Sequence, residues 1–319
     1  MINHSRNIMP RRAMTKFRRR KLIFVLGMLA IPFLNFLVFW LWPNFRSILI
    51  AFELPGEEGF TLFNFERFFN ELASDVTGPR IWKMIDNSFI MFFVNTFISL
   101  PMVLFLSYVL FKRVTGYKVF RVLFYLPSII GGTVMTQIFR SMLMTDGPIE
   151  QLLEFMNLPL SDATKYTGLL GSSETSMLML IIYSLWTGIG VNMIMFTGAM
   201  NRVPQDLFES ARIDGVGFFR EFFNVILPLI WPTVTTMVVF SMVGIFSNAG
   251  LVMLLSPHDS AWNIGYYILK YTMGANTTVT RIDGFNYPAA IGLIFTCVNL
   301  PLVFGVKALC DRVSKNVEY

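Results

Sequence analysis

Long apolar windows, each of about 20 residues and nearly free of charge, alternate along this chain with polar stretches. Six stand out: Leu22 to Trp42, Ser88 to Phe111, Val119 to Met144, Thr175 to Met200, Phe222 to Phe246 and Ala289 to Val306. A helix of about 20 apolar residues covers the roughly 30 Å of hydrocarbon in a bilayer. Lipid offers no partner to an open backbone N–H or C=O, so only helices or a closed barrel can cross it. A barrel would show alternating segments of about ten residues rather than continuous apolar runs. The pattern predicts an all-α polytopic membrane protein with six transmembrane helices.

Composition agrees. Of 319 residues 54% are hydrophobic and only 14% charged, and the mean hydropathy of +0.57 lies outside the usual soluble range. Charge then sets orientation. With the N-terminus inside, 18 of the 26 Lys and Arg fall on the cytoplasmic side: eight from Arg6 to Lys21, then Lys112, Arg113, Lys118, Arg121, Arg202, Arg212, Arg220, Lys307, Arg312 and Lys315. Outside are Arg46, Arg67, Arg80, Lys83, Arg140, Lys165, Lys270 and Arg281, spread over longer segments. Both termini are therefore expected in the cytoplasm. The net charge of +6 reads as a topology signal and not as nucleic-acid binding. Arg18-Arg19-Arg20-Lys21 suits anionic lipid headgroups, and the apolar run after it is too long for a signal peptide.

These signals divide the chain into a basic tail (1–21), a first transmembrane helix (22–42), an extracytoplasmic loop (43–87), a core (88–310) with a cytoplasmic loop (202–221), and a second tail (311–319). Within the first loop, Phe63 to Phe69 has helix-like amphipathic spacing and is expected to lie on the membrane surface, with contact to an extracytoplasmic partner as the competing role. The last outer loop, Ser247 to Tyr287, holds Pro257, Gly274, Asn276 and Gly284 and is expected to be irregular and solvent-facing. Asn276-Thr277-Thr278 fits a glycosylation acceptor, relevant only in a eukaryotic secretory setting. Cys297 and Cys310 are too few and on the wrong side for a disulfide framework or a metal motif.

The polar segment Val203 to Gly215 predicts a helix of about ten residues opening at Pro204, whose missing N–H would be an orphan at that position anyway. Asp206 and Glu209 suit the positive end of its dipole, and Gly215 its termination. Leu207 and Ala211 lie four apart, with the small Ser210 beside them, so a partner could approach that face. Downstream, Leu227-Pro228 predicts a kink in the fifth span.

Val203 to Gly215, followed by Val225-Ile226-Leu227-Pro228, resembles the EAA loop of ABC importer permeases. Leu123 to Pro127, Trp186-Thr187-Gly188 and Asn263 to Ile268 are similar to the carbohydrate-uptake branch, closest to the larger permease of maltose and polysaccharide-fragment importers. Two departures are conservative: Ser210 stands where Ala is usual, and Val225 where Ile is usual. The resemblance implies the type I ABC importer permease fold in a bacterial cell membrane. It implies that Pro204, Leu207, Phe208, Glu209, Ser210, Ala211, Asp214 and Gly215 couple to a separate ATPase through a stiff connection to the fifth span. It also implies a second permease as heterodimer partner, two ATPase subunits, an extracytoplasmic solute-binding protein and a carbohydrate substrate. This chain would bind no cofactor, with ATP and Mg held by the ATPases.

Carrying the maltose-type substrate positions over reaches Ser128, Gly132, Ser184, Thr187, Gly188, Val191, Phe246 and Asn248. Asn192, Trp186 and Tyr183 are neighbouring polar or aromatic groups added on chemistry alone, since sugars need hydrogen bonds and flat apolar faces. The competing role for the small residues is helix packing. An amide at Asn248, near a span end, is costly without a partner, which favours contact with substrate. Ser128 and Val191 are small where the related type has aromatics, implying a wider pocket or a site carried by the partner permease. Trp40, Trp42, Tyr125 and Trp231 are expected in the interfacial belt, and Gln137 and Arg140 in an outer vestibule.

The alternative is an ion-coupled secondary transporter of a small polar solute, which would place carboxylates at mid-membrane; the six windows contain no Asp or Glu. A membrane enzyme is disfavoured because His4 and His258 lie outside the windows. No Gly-Lys-Ser/Thr phosphate loop occurs, so ATP hydrolysis must come from another chain.

Overall fold

A computed structural model describes residues 11–54, 59–157, 161–255, 257–274 and 284–314. His4, Arg6, Arg281, Lys315 and the Asn276-Thr277-Thr278 triplet lie outside them. All regular structure among the described residues is helical. Helix α1 (Arg11–Asn35), a π-helical turn (Phe36–Leu41) and α2 (Trp42–Ile50) form one rod, followed by the short α3 (Phe63–Ala73). Helix α4 (Gly78–Phe93), a second π turn (Val94–Ser99) and α5 (Leu100–Phe111) form another rod. Then come α6 (Tyr117–Ile129), α7 (Gly132–Met142), α8 (Pro148–Phe155), α9 (Asp162–Gly171) and the long α10 (Ser176–Met200). The remainder includes α11 (Gln205–Ile213), α12 (Phe218–Glu221), a third π turn (Phe222–Ile226), α13 (Leu227–Leu229), α14 (Trp231–Val243), α15 (Gly250–Leu255), α16 (Ile264–Gly274) and α17 (Asn286–Ser314).

Among the described residues four helical rods are long and apolar enough to cross a membrane, and six do so if each of two bent pairs is one span. The third window is not the continuous helix expected: α6 and α7 meet at 100°. Pro127 removes a ladder donor in the last turn of α6, and Ile130 and Gly131 then take extended ψ near 134°, so the chain turns at the Gly131-Gly132 pair. The fifth window is also bent, by 72°, and not at Leu227-Pro228. The break falls at Ile230 (φ −98°, ψ 6°), between Pro228 and the unanticipated Pro232, each of which lacks an N–H to carry the ladder across. Trp231, expected in the interfacial belt, donates its indole N–H to the Cys310 carbonyl (3.1 Å), tying the bend to the end of α17.

Three layers of side chains hold the body together. Leu104, Tyr108, Phe196, Met200, Phe222 and Ile226 fill the end that carries α11. Phe68, Ile81, Phe246, Tyr287, Ile291 and Phe295 fill the opposite end, and Phe139, Leu180, Tyr183 and Leu255 a third cluster around α7 and α10.

Both long loops are more structured than expected. The Phe63 to Phe69 segment is not a surface-lying helix but part of α3, docked through Phe68 (1% exposed) and the buried Asn64. Glu71 of α3 accepts from the phenols of Tyr267 and Tyr287 and pairs with Arg67 (3.0 Å). Burial, and then the neighbouring Tyr271, push the Tyr267 phenol well above its ordinary value, so it stays protonated as the donor in this contact. The described residues of 247–274 likewise fold into α15, a 3₁₀ turn (Asp259–Ala261) and α16, with Leu255 and Ile264 fully buried. Its 3₁₀ turn is clipped to α4, because Asn87 Nδ2 donates to the Ser260 and Trp262 carbonyls (both 2.8 Å) and Ser88 Oγ accepts from Ile264 N–H (3.1 Å). Turn residues mark where a chain bends, but buried amides decide whether the bend packs.

Candidate functional site

A cavity of about 360 Å³ lies between α4 with its π turn, α10, α14 and the segment that follows α14. Along α10 the positions Ser184, Gly188 and Asn192 recur every four residues and so share one face, with Thr187 beside them. The Ser184 and Thr187 hydroxyls donate to the Ile181 and Tyr183 carbonyls (2.9 and 2.8 Å), which satisfies their protons within the helix and leaves lone pairs as acceptors. Opposite them stand Phe92 and Asn95, the latter on the π turn, with its Nδ2 donating to the Met91 carbonyl (2.9 Å). A π turn inserts one extra residue and re-aims those around it, a device frequent at functional sites. Phe240 and Ser241 of α14, then Asn248 and Asn263, complete the polar side.

The amides differ in what they have left to offer. Asn263 is engaged at both ends: its Nδ2 donates to the Asn248 carbonyl (2.7 Å) and its Oδ1 accepts from Tyr266 N–H (2.8 Å). The side-chain amides of Asn192 and Asn248 have no hydrogen-bond partner among the described residues. Among the described residues none that lines the cavity is ionisable. Two open amides beside two phenyl rings, with hydroxyl acceptors around them, suit a polyhydroxylated solute.

Of the nine positions expected to touch substrate, five share this cavity: Ser184, Thr187, Gly188, Asn192 and Asn248. The other four do not line it. Ser128 donates to the Thr187 carbonyl (3.2 Å) and fills the space over Gly190, whose absent Cβ would stand 2.2 Å from Ser128 Oγ. It is a packing residue between α6 and α10, because only glycine permits that approach. Gly132 lies exposed at the start of α7, beyond the 100° bend that separates it from Ser128. Val191, 59% exposed, points away from the body, and Phe246 is buried against Phe89 and Phe295 (ring centroids 5.5 and 4.7 Å). Tyr183 and Trp186 also fall outside; the Tyr183 hydroxyl contacts Thr136 Oγ1 (2.9 Å) in the α7 packing. Asn95, Ser241, Phe92 and Phe240 were not anticipated. Polar residues inside apolar windows were the available signal for Asn95 and Ser241.

A larger cavity, about 700 Å³, opens where α4 begins, lined in part by Arg80, Lys83, Trp262, Lys270 and Tyr271. None of the anticipated residues reaches it.

Helix α11 projects from the other end of the body. It starts at Gln205, one residue later than expected, with Pro204 as its N-cap (ψ 136°). Its end is fixed by two hydrogen bonds, Val216 N–H to the Ala211 carbonyl (2.9 Å) and Gly215 N–H to the Arg212 carbonyl (3.1 Å), with Gly215 at φ +67°. This is the Schellman arrangement, which consumes carbonyls the helix would otherwise leave open. Phe208 packs on Phe111 of α5 (5.5 Å) and Ala211 is buried, so the inward face runs through these two residues. The expectation that Ala211 meets a partner is corrected: its side chain is occupied by its own chain. Leu207, Glu209, Ser210, Asp214 and Ile213 (86% exposed) form the outward surface. The expected stiff continuity with the fifth span is also absent, since the turn at 214–217 separates α11 from α12.

The link between α11 and the body instead passes through Lys112, the cap of α5. Its Nζ lies 5.5 Å above the Phe208 ring and 2.6 Å from Glu221 Oε1 in α12. Glu221 is a buried carboxylate just outside the apolar window assigned to the fifth span, and its pairing with Lys112 makes that burial tolerable.

The sequence profile described as "Binding-protein-dependent transport system inner membrane component" matches residues 83–318. The chain is 25% identical over 274 residues to the arabinooligosaccharides transport system permease protein AraP of Bacillus subtilis, covering 84% of this chain and 83% of that one. It is 24% identical to the lactose transport system permease protein LacF of Rhizobium radiobacter, covering 84% and 87%. Its fold is similar to that of a chain from a bacterial ABC transporter involved in the import of the acidic polysaccharide alginate, with a TM-score of 0.76 at 20% identity over 95% of this chain and 99% of that one. With more than half of its length matched, the chain belongs to the family of binding-protein-dependent transport system inner membrane components.

Proposed function

We propose that this chain is one of two different permease subunits in an ATP-driven importer of a sugar or oligosaccharide. Its cargo arrives from a solute-binding protein on the outer side and passes the cavity between α4, α10 and α14. The α11 end and both termini face the cytoplasm, as the Lys and Arg distribution favours. There α11 seats in one of two ATPase subunits, which hold ATP and Mg. The permease relatives named for arabinooligosaccharides and lactose support a carbohydrate cargo.

The observation that carries this reading is α11, a capped polar helix held on its inner face by Phe208 and Ala211 and leaving Leu207, Glu209, Ser210 and Ile213 uncovered. A helix buried on one side and bare on the other end of an apolar body is built to meet a soluble partner. Closure of the ATPase pair would push α11, and Phe208 and Lys112 would pass the push to α5 and to Glu221 of the bent fifth span. Ser210→Cys in a chain whose own cysteines are replaced should crosslink to an ATPase subunit in the purified complex, and faster with one nucleotide state than another. A complex that imports cargo while Ser210→Cys never crosslinks would overturn the proposal.

A further inference from the structure

We infer that the cavity between α4, α10 and α14 selects neutral saccharides and rejects those carrying carboxylate or phosphate groups; this rests on the reading of that cavity as the cargo site. Among the described residues those that line it are amides, hydroxyls, aliphatics and phenyl rings, and none of them carries a charge. Bringing an anion from water into such a wall strips its hydration with no cation in return, a cost much larger than that of a hydroxyl.

The unspent groups match a neutral polyol on their own terms. Asn192 and Asn248 each present two N–H donors and a carbonyl acceptor. A sugar hydroxyl donates one hydrogen bond and accepts others, so a pair of adjacent hydroxyls can satisfy both ends of one amide. A carboxylate only accepts, which would leave the amide oxygens facing negative charge. Asn95, one of whose two N–H groups is taken by the Met91 carbonyl, keeps one N–H and its carbonyl oxygen, and that oxygen suits a hydroxyl proton and repels an anion. Phe92 and Phe240 supply flat apolar surface for the C–H faces of a pyranose or furanose ring. Arg80, Lys83 and Lys270, basic side chains able to hold an anion, line the separate cavity at the start of α4.

The test uses the full complex with its ATPases and binding protein in nanodiscs. The permease carries Cys297→Ser, Cys310→Ser and a reporter, Leu251→Cys, on the cavity wall. Maleimide labelling of the reporter is timed with neutral oligosaccharide pools (arabinan, starch and β-glucan fragments) and with uronate pools (alginate and pectate fragments). A neutral pool at ten times its dissociation constant is expected to slow labelling by about tenfold, and uronates to leave it unchanged. Uronate protection equal to or better than neutral protection overturns the charge selection while leaving the cargo site standing. No protection by any pool removes the cavity as the cargo site, and the selection with it. As a second measurement, Asn192→Lys should turn protection toward uronates; an unaltered neutral preference in a folded, assembled variant also counts against the inference.

Discussion

Lys112 Nζ and Glu221 Oε1 stand 2.6 Å apart, joining the cap of α5 to the last residue of α12 beneath α11. Lys112 retains 19% of its side-chain exposure and Glu221 5%, so removing one partner strands a nearly buried charge. Lys112→Met or Glu221→Gln should each destabilise the protein by about 3 kcal/mol, and Lys112→Met with Glu221→Leu should recover most of it. Thermal unfolding of the purified complex measures this. The recovered double variant should still hydrolyse more ATP per solute moved, since the ionic connection is gone. Normal coupling in that variant would show that the pair only fastens the fold.

Asn192→Ala and Asn248→Ala should raise the half-saturating concentration for uptake in vesicles by about tenfold each, the equivalent of one lost hydrogen bond. Complex assembly and basal ATP hydrolysis should be retained, because neither side chain has a hydrogen-bond partner among the described residues. Unchanged uptake kinetics in both variants would remove the amides from the cargo path.

Gly190→Val should loosen the α6–α10 contact. Even its first added carbon would meet Ser128 Oγ at 2.2 Å and the Phe124 carbonyl oxygen at 2.9 Å. A cost of about 1–3 kcal/mol is expected from overpacking of this kind, visible as a lower unfolding temperature in detergent. Gly198→Val is the control, since its added carbon meets nothing within 4 Å, and it should change little.

Gly215→Val tests conformation without collision. Nothing lies within 4 Å of the added carbon, yet φ is +67°, which a β-branched residue adopts at a cost of about 1–2 kcal/mol. Gly215→Asn should be milder because Asn tolerates the left-handed region. Transport is expected to fall in the order wild type, Asn, Val, with all three inserted equally; equal transport by Val would mean that the angle at which α11 leaves the body does not matter.

The helical class, the apolar rods and the polar helix α11 were legible in the sequence because each rests on a local signal. Apolar length reports a span, and Gly215 reports a helix end to the residue. Five of the expected positions meet in one cavity: the family resemblance points to Ser184, Thr187, Gly188 and Asn248, and polar chemistry beside them adds Asn192. The bends were less readable. Pro228 was visible, but the break falls at Ile230 because Pro232 restarts the helix, and nothing local ranks one proline above the other. Ser128 and Ala211 pack within this chain, which sequence does not announce, because a small residue looks the same whether it makes room for a partner or for its own neighbouring helix. That distinction belongs to tertiary packing, as do α3 and α16, whose docking depends on Glu71, Asn87 and other partners distant in sequence.

The rod of α1 and α2 is tethered at one end, where Asn64 and Asn286 donate to carbonyls of residues 50–53. Along the 33 residues of Arg18–Ile50 no side chain in the most hydrophobic window is buried. It therefore behaves as an outrigger: amides steer its tip, while its flank is left to acyl tails or a neighbouring subunit. A harsh detergent should strip that arm first and leave the remaining bundle intact, so limited proteolysis would release the arm before any other crossing segment.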